Sequence, residues 1–351
     1  MIKLVVELTD RCNLSCGHCP SGRHGGRGEL DPGLFTRLLA EAPGCGIELI
    51  GFTGGEPTLH SRFAELVGLT AAAGLDFGLN TNGWSLPKHL DVLLAHRDRL
   101  RMITISLDGA REATHDALRG RGSYRRVLQA ASVCVLRGLP FTLNMSLTRA
   151  NQGEAAEMIA LAAGLGALGV RFGHLMSDPN PTAAELELGP DERKALDAQL
   201  RRLQAQSDFP VGIAPGGWSA DLAPCDPLHA REVNLDWHGR LGLCCHLSGF
   251  AGQEQAAAAD LSQVSLSEAL AALTGLRDDL MDEKRRRRAN GDWRDDDHFA
   301  CWHCAKRFGG VDWMRAQPDH PWHAALVGIS RDGESTLEQR AAASPGADAP
   351  S

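Results

Sequence analysis

Short apolar runs alternate with longer amphipathic stretches along residues 1–205 of this chain. The runs lie at 3–8, 48–52, 76–80, 102–106, 141–146 and 170–174 and predict strands. The stretches near 32–42, 61–73, 87–96, 123–137, 152–166 and 190–206 carry apolar residues three or four positions apart and predict helices. Strand and helix in strict alternation point to an α/β fold of repeated βα units around a parallel sheet. Six such units are too few for a closed eight-stranded barrel. In parallel barrels the chemistry sits at the C-terminal strand ends, and each polar motif below falls at such an end. Pro210, Pro215, Gly216, Gly217 and Pro224 mark 206–224 as a linker. Beyond it, Asp236-Trp237-His238-Gly239 reads as a hairpin turn, with Gly239 where φ > 0 is needed. A helix is expected over 265–287, and the Ala-, Ser-, Glu-, Gly- and Pro-rich tail from about 333 is expected to be disordered.

The stretch after the first run holds Cys12, Cys16 and Cys19 at C-x3-C-x2-C spacing. Three thiolates on one short loop can close around one iron–sulfur cluster. A cubane takes four ligands, so one iron stays open to a small molecule. A zinc site would need a fourth ligand from elsewhere, such as His18 or His24. At the second strand end stands Gly54-Gly55-Glu56-Pro57. The glycines let backbone approach a ligand, Glu56 adds a carboxylate suited to an ammonium, and Pro57 keeps Glu56 extended. The third strand ends in Asn80-Thr81-Asn82-Gly83 and the fourth in Ser106-Leu107-Asp108-Gly109. His115-Asp116-Ala117-Leu118-Arg119-Gly120-Arg121-Gly122-Ser123-Tyr124 follows.

Together these motifs resemble the radical S-adenosylmethionine (SAM) superfamily. The resemblance implies a partial (β/α)6 barrel over 1–205 and a 4Fe–4S cluster on Cys12, Cys16 and Cys19. In that family SAM chelates the open iron and is cleaved by one electron to a 5′-deoxyadenosyl radical, which abstracts a hydrogen atom. It further implies that Gly54, Gly55, Glu56 and Pro57 hold the amino group of SAM. Asn80, Asn82, Ser106 and Asp108 would contribute ribose and carboxylate contacts. His18 stands where the family has an aromatic residue near adenine. Arg119, with Arg121 and Arg125 as alternatives, could fork onto the SAM carboxylate. Asn144 and Arg171 point inward if the strand register is right.

A second cysteine set follows the linker: Cys225, the pair Cys244-Cys245, and Cys301-Trp302-His303-Cys304. This layout resembles the twitch domain, a shortened SPASM domain, here 225–310 with an extension over 311–351. The resemblance implies one auxiliary 4Fe–4S cluster on Cys225, Cys244, Cys301 and Cys304. A four-cysteine zinc site fits the same thiolates on chemistry alone. Neighbouring residues of a strand face opposite ways, so only one of Cys244 and Cys245 can serve. Cys45 and Cys134 read as ordinary small residues.

Composition narrows the field. A net charge of −8 and a pI near 6.0 argue against a nucleic-acid binder driven by phosphate contacts. The basic run 284–288, followed by Asp292 and 295–297, reads as a solvated helix end beside an acidic loop. No apolar stretch is long enough for a membrane span. With Met1-Ile2-Lys3-Leu4 entering a strand at once and no signal peptide, the ten cysteines point to metal binding in a reducing cytoplasm. The expected activity is oxidative modification or cross-linking of a ribosomally made peptide, with a flavodoxin or ferredoxin as electron donor. The alternatives are dehydrogenation of a small secondary alcohol or aminoglycoside precursor, and a non-catalytic zinc protein on a degenerate barrel. No catalytic acid or base is assigned.

Overall fold

The computed structural model describes residues 2–19, 28–176, 179–248 and 256–327. Its elements run β1 (Ile2–Glu7), α1 (Pro32–Glu41), β2 (Ile47–Thr53), α2 (Phe63–Ala72), β3 (Asp76–Thr81), α3 (Leu90–Ala95) and β4 (Leu100–Ser106). Then come α4 (Glu112–Arg119), α5 (Ser123–Arg137), β5 (Phe141–Leu147), α6 (Ala155–Gly164), β6 (Val170–His174), α7 (Pro181–Leu186), α8 (Pro190–Gln206) and β7 (Val211–Ile213). The C-terminal part holds β8 (Glu232–Leu235), β9 (Arg240–Gly242), β10 (Ala257–Asp260), α9 (Leu266–Ala289), α10 (Ala300–Arg307) and α11 (His323–Val327).

The six expected strands form, in parallel and in chain order, and helices cover their outer face: the partial barrel. Local chemistry starts and stops the units. Asp31 caps α1 by accepting from Leu34 N at 2.7 Å, with Pro32 at the first helical position. Gly138 ends α5 in the left-handed region at φ 61°. The outer face of the sheet is apolar. Phe52 of β2 packs against Phe35, Phe63 and Phe77 with ring centroids 6.1, 6.3 and 6.1 Å away. The inner face is polar. Register pairs Asn80 with Thr104, Ser106 with Asn144, and Asn144 with Arg171. Partners in a parallel sheet share a face, so these side chains line one wall.

Three features depart from the expected pattern. The stretch read as a linker contains β7, parallel to β6, because Val211-Gly212-Ile213 continues the sheet once Pro210 O has accepted from Val170 N at 3.0 Å. The hairpin beyond it does not stand apart either. β8 lies parallel beside β1, and β9 and β10 continue antiparallel, giving one ten-stranded sheet. Helix α4 was hidden from the apolar period, being short with only His115 and Leu118 buried. The tail expected to be disordered lies outside the described residues.

Candidate functional site

The loop after β1 carries Cys12, Cys16 and Cys19 and is pinned by its backbone. Thr9 bridges Glu29, and Gly17 N donates to Leu118 O at 3.3 Å. On its other side Gly55 N donates to Thr9 O at 2.8 Å and Glu56 N to Arg11 O at 2.7 Å. This approach requires glycine. A Cβ on Gly54 would stand 2.4 Å from Thr9 O, and one on Gly55 2.2 Å from Arg11 O. Both glycines also line a cavity of about 270 Å³ at the barrel mouth.

Glu56, expected to face an ammonium, is fully buried and turned away. Its Oε1 accepts from Thr58 N (3.3 Å), Thr58 Oγ1 (2.6 Å) and Thr81 Oγ1 (2.8 Å), and its Oε2 from Asn82 N (2.8 Å). Burial pushes this carboxyl up and these hydrogen bonds act against the rise. The carboxylate therefore ties β2 to β3 behind the cysteine loop, while Pro57 opens the 3₁₀ turn Pro57–Leu59. What the segment offers the cavity is the backbone of Gly54 and Gly55. Asn82 also works on the loop: its Nδ2 donates to Asn13 Oδ1 at 2.9 Å and lies 3.8 Å from Cys12 Sγ.

Asp108 is a second hub, also fully buried. Its Oδ2 takes Arg119 Nε and lies 3.0 Å from His18 Nε2, and its Oδ1 accepts from Ser146 N at 2.8 Å. Burial would raise this carboxyl, but Arg119 and His18 bring it well below the usual carboxylate range. Enclosure opposes the charge on Arg119, and Asp108 and Cys16 restore it. Burial and Arg119 push His115 down to about 4, and its Nδ1 accepts from Asp108 N at 3.0 Å. Asp116 accepts from Gly122 N and Tyr124 N, at 2.6 and 2.9 Å, and so starts α5. Of the residues expected around SAM, His18, Cys19, Gly54, Gly55 and Arg119 line the cavity, while Glu56 and Asp108 support them from behind.

The second cysteine set converges too. Cys225, Cys244, Cys301 and Cys304 line one small apolar space closed by Leu228, Leu243, Leu247 and Ala300. Cys301 and Cys304 reach it from one face of α10, three residues apart. Cys245 instead lines the barrel cavity, so the adjacent pair divides between the two spaces, and His246 lines both.

Three groups at the cavity escaped the motif search. Glu7 ends β1, accepts from Asn234 Nδ2 at 3.1 Å, and has its carboxyl pushed up to about 7 by burial. His174 ends β6, and its Nε2 lies 2.7 Å from Asp197 Oδ1. Its Nδ1 is buried with no partner among the described residues. Trp237 comes from the hairpin and lies against Gly28, where a Cβ would stand 2.0 Å from the ring. The rule that chemistry collects at strand ends points to Glu7 and His174. The linker glycines serve the same site: a Cβ on Gly217 would stand 2.1 Å from Asp197 Oδ2, and one on Gly216 3.6 Å from Cys301 Sγ and 3.8 Å from His174 Cβ.

As the side chains stand, no group of three or more His, Cys, Asp or Glu among the described residues is arranged to hold a single metal ion. An iron–sulfur cube is wider than one ion. The thiols of the first loop lie within electrostatic range of one another and of the Arg119 guanidinium, which suits an anionic cluster. Burial pushes Cys16 and Cys301 up to about 12 and Cys304 to about 11, so these thiols ionise on taking a metal.

Comparison with known proteins identifies the family. The model of the radical SAM superfamily matches residues 6–162, and the chain belongs to that superfamily of enzymes, which use SAM and a 4Fe–4S cluster. It is 36% identical over 259 residues to the PqqA peptide cyclase of Ruegeria pomeroyi, covering 66% of this chain and 68% of that one. It is 34% identical over 245 residues to the mycofactocin maturase MftC of Mycobacterium tuberculosis, covering 66% of this chain and 61% of that one. In fold it is similar to Streptococcus suis SuiB bound to S-adenosylmethionine, with a TM-score of 0.66, 15% identity, and 79% and 67% of the two chains covered. SuiB has also been solved with its precursor peptide SuiA, with a TM-score of 0.65, 15% identity, and 79% and 66% covered. Among the described residues no helix is long and apolar enough to cross a membrane.

Proposed function

We propose that this enzyme works in the cytoplasm with two 4Fe–4S clusters, one on Cys12, Cys16 and Cys19 and one on Cys225, Cys244, Cys301 and Cys304. Its substrate is a ribosomally made peptide, which it oxidises or cross-links with loss of two hydrogens. The observation that carries this is the shared wall. Cys244 lines the second cysteine space, Cys245 lines the barrel cavity, and His246 lines both. Peptide as the substrate class is supported by relatives named as a peptide cyclase and a maturase, and by a structural neighbour solved with a precursor peptide.

With SAM bound and one electron supplied by a flavodoxin or ferredoxin, a cluster held by Cys12, Cys16 and Cys19 would pass that electron to SAM, whose cleavage would give the radical that takes a substrate hydrogen. The chain's own residues do the rest. Asp108 holds Arg119 toward the SAM carboxylate. Gly54 and Gly55 leave room for the SAM amino group. Asn80, Ser106 and Asn144 share the lumen face available to ribose and substrate. Oxidation of the abstracted site would release a proton and an electron, the electron going to a cluster held by Cys225, Cys244, Cys301 and Cys304. His174 gives its Nε2–H to Asp197 and keeps Nδ1 to receive the proton; Glu7, near 7, is the second acceptor within the cavity.

The test is anaerobic, iron-reconstituted enzyme with SAM, dithionite and short peptides encoded beside its gene. The expected product is lighter by two hydrogen atoms. His174→Gln should still form 5′-deoxyadenosine but lose most of this product. Release of 5′-deoxyadenosine with every peptide mass unchanged would count against peptide oxidation.

A further inference from the structure

Lys284 departs most sharply from its surface-helix pattern. It lies in the basic run 284–288, yet it is 1% exposed. A fully buried lysine is rare unless paired. Its Nζ donates to Leu222 O at 2.5 Å and sits 5.9 Å from the Trp293 ring centroid. Among the described residues it makes no ion pair. The nearby carboxylates are engaged by other side chains. Asp297 takes Arg287 (2.6 Å), Lys306 (2.8 Å) and His303 (3.0 Å), and Asp296 takes Lys306 (2.7 Å) and Arg294 (3.1 Å).

What surrounds Lys284 is the second cysteine set. Leu222, its hydrogen-bond acceptor, precedes Cys225 by three residues. Trp293 packs on His303, the neighbour of Cys304, at a ring separation of 5.0 Å. Cys225 and Cys304 both lie within electrostatic range of the Lys284 ammonium. A cluster on those thiols would bring the negative charge that the buried Lys284 lacks among the described residues.

We propose that Lys284 is the fixed counter-charge of the second cysteine set and raises the reduction potential of the cluster held there, poising it to accept an electron. This rests on the two-cluster reading above. The physical reason is direct. A thiolate-ligated cluster gains one negative charge on reduction, and a buried cation close by favours the more negative form. A zinc ion on the same thiolates has no such reduced form.

The test uses the full chain, anaerobically reconstituted with iron and sulfide and titrated with dithionite, with EPR recorded at each potential. The first cluster is recognised by its response to added SAM. Iron and zinc analysis of the wild-type protein tests the underlying reading separately: zinc in place of the second cluster would remove that reading and this proposal with it. In Lys284→Met the potential of the SAM-insensitive cluster should fall by at least 59 mV, a tenfold change in the one-electron equilibrium, while the SAM-responsive cluster stays unchanged. Lys284→Arg keeps the charge and should stay near the wild-type potential. If Lys284→Met loses the second cluster while Lys284→Arg retains it, the charge is needed for loading and the proposal stands. A fully loaded Lys284→Met with an unchanged potential overturns it. So does a Lys284→Arg that shifts, or loses the cluster, as much as Lys284→Met does, since packing and not charge would then be responsible.

Discussion

The first cysteine loop is held on the cavity side of the barrel, with Cys19 on the cavity wall and a guanidinium beside it. The second cysteine set is closed by leucines and an alanine, with its cation buried behind it. The first is supported by polar groups tied to strand ends, Glu56 and Asp108, and leaves room for a ligand. The second uses hairpin, helix and linker to shut one out. An open site suits bond cleavage, where a substrate must reach the metal; a closed one suits storing or passing an electron. Among the described residues the two share a wall at Cys244-Cys245-His246, and under the proposed function that contact would make them parts of one reaction.

The strongest test of this division is removal of the first three thiols. Cys12, Cys16 and Cys19 changed to Ala together should abolish 5′-deoxyadenosine formation under dithionite and lower iron from about eight to about four atoms per chain. Cys301→Ala with Cys304→Ala should keep some cleavage. Equal losses in both variants would erase the distinction between the sites.

Asp108→Ala should come next. It leaves Arg119 enclosed without its carboxylate, which costs about 3–5 kcal/mol for a broken buried pair. Thermal unfolding of the apoprotein reads the loss, and SAM affinity should fall with it. Unchanged stability would mean that Arg119 finds another partner.

Glu7 joins the two regions, since it ends β1 and bonds to Asn234 of β8. Its folded-state value near 7 lies above the ordinary 4.5, so the folded chain holds the proton more tightly. Stability from this group is fully present below 4.5 and is lost as the pH rises toward 7. Glu7→Gln should flatten that loss, gaining no more than about 3 kcal/mol at alkaline pH. Thermal unfolding of wild type and variant across this window checks it; parallel curves would show that Glu7 does not titrate there.

Glu56→Gln should have the smallest effect and separates support from contact. The amide puts a donor against one of the groups that now donate to Glu56, which costs about 1–3 kcal/mol. Unfolding should register this while SAM affinity changes little. A large loss of affinity with stability intact would return Glu56 to the ligand.

Local pattern was enough for much of this molecule. The period of apolar residues set the strands and helices of the barrel, and cysteine spacing marked the loop of Cys12, Cys16 and Cys19 and the pair Cys301 and Cys304, because each depends on residues a few positions apart. Glu7 and His174 also stand at strand ends, but no motif marked them and the pattern passed over them. Tertiary packing decided the rest, since it turns on which way a side chain faces and what meets it from afar. It buried Glu56 under Thr81 and Asn82, divided Cys244 from Cys245, and joined His174 to Asp197 across the linker glycines. It also turned Lys284, one cation in a run that reads as solvated, into a buried charge within electrostatic range of Cys225 and Cys304. A charge run carries no signal of which member faces inward; only the helix's docking against Leu222 and Trp293 supplies that.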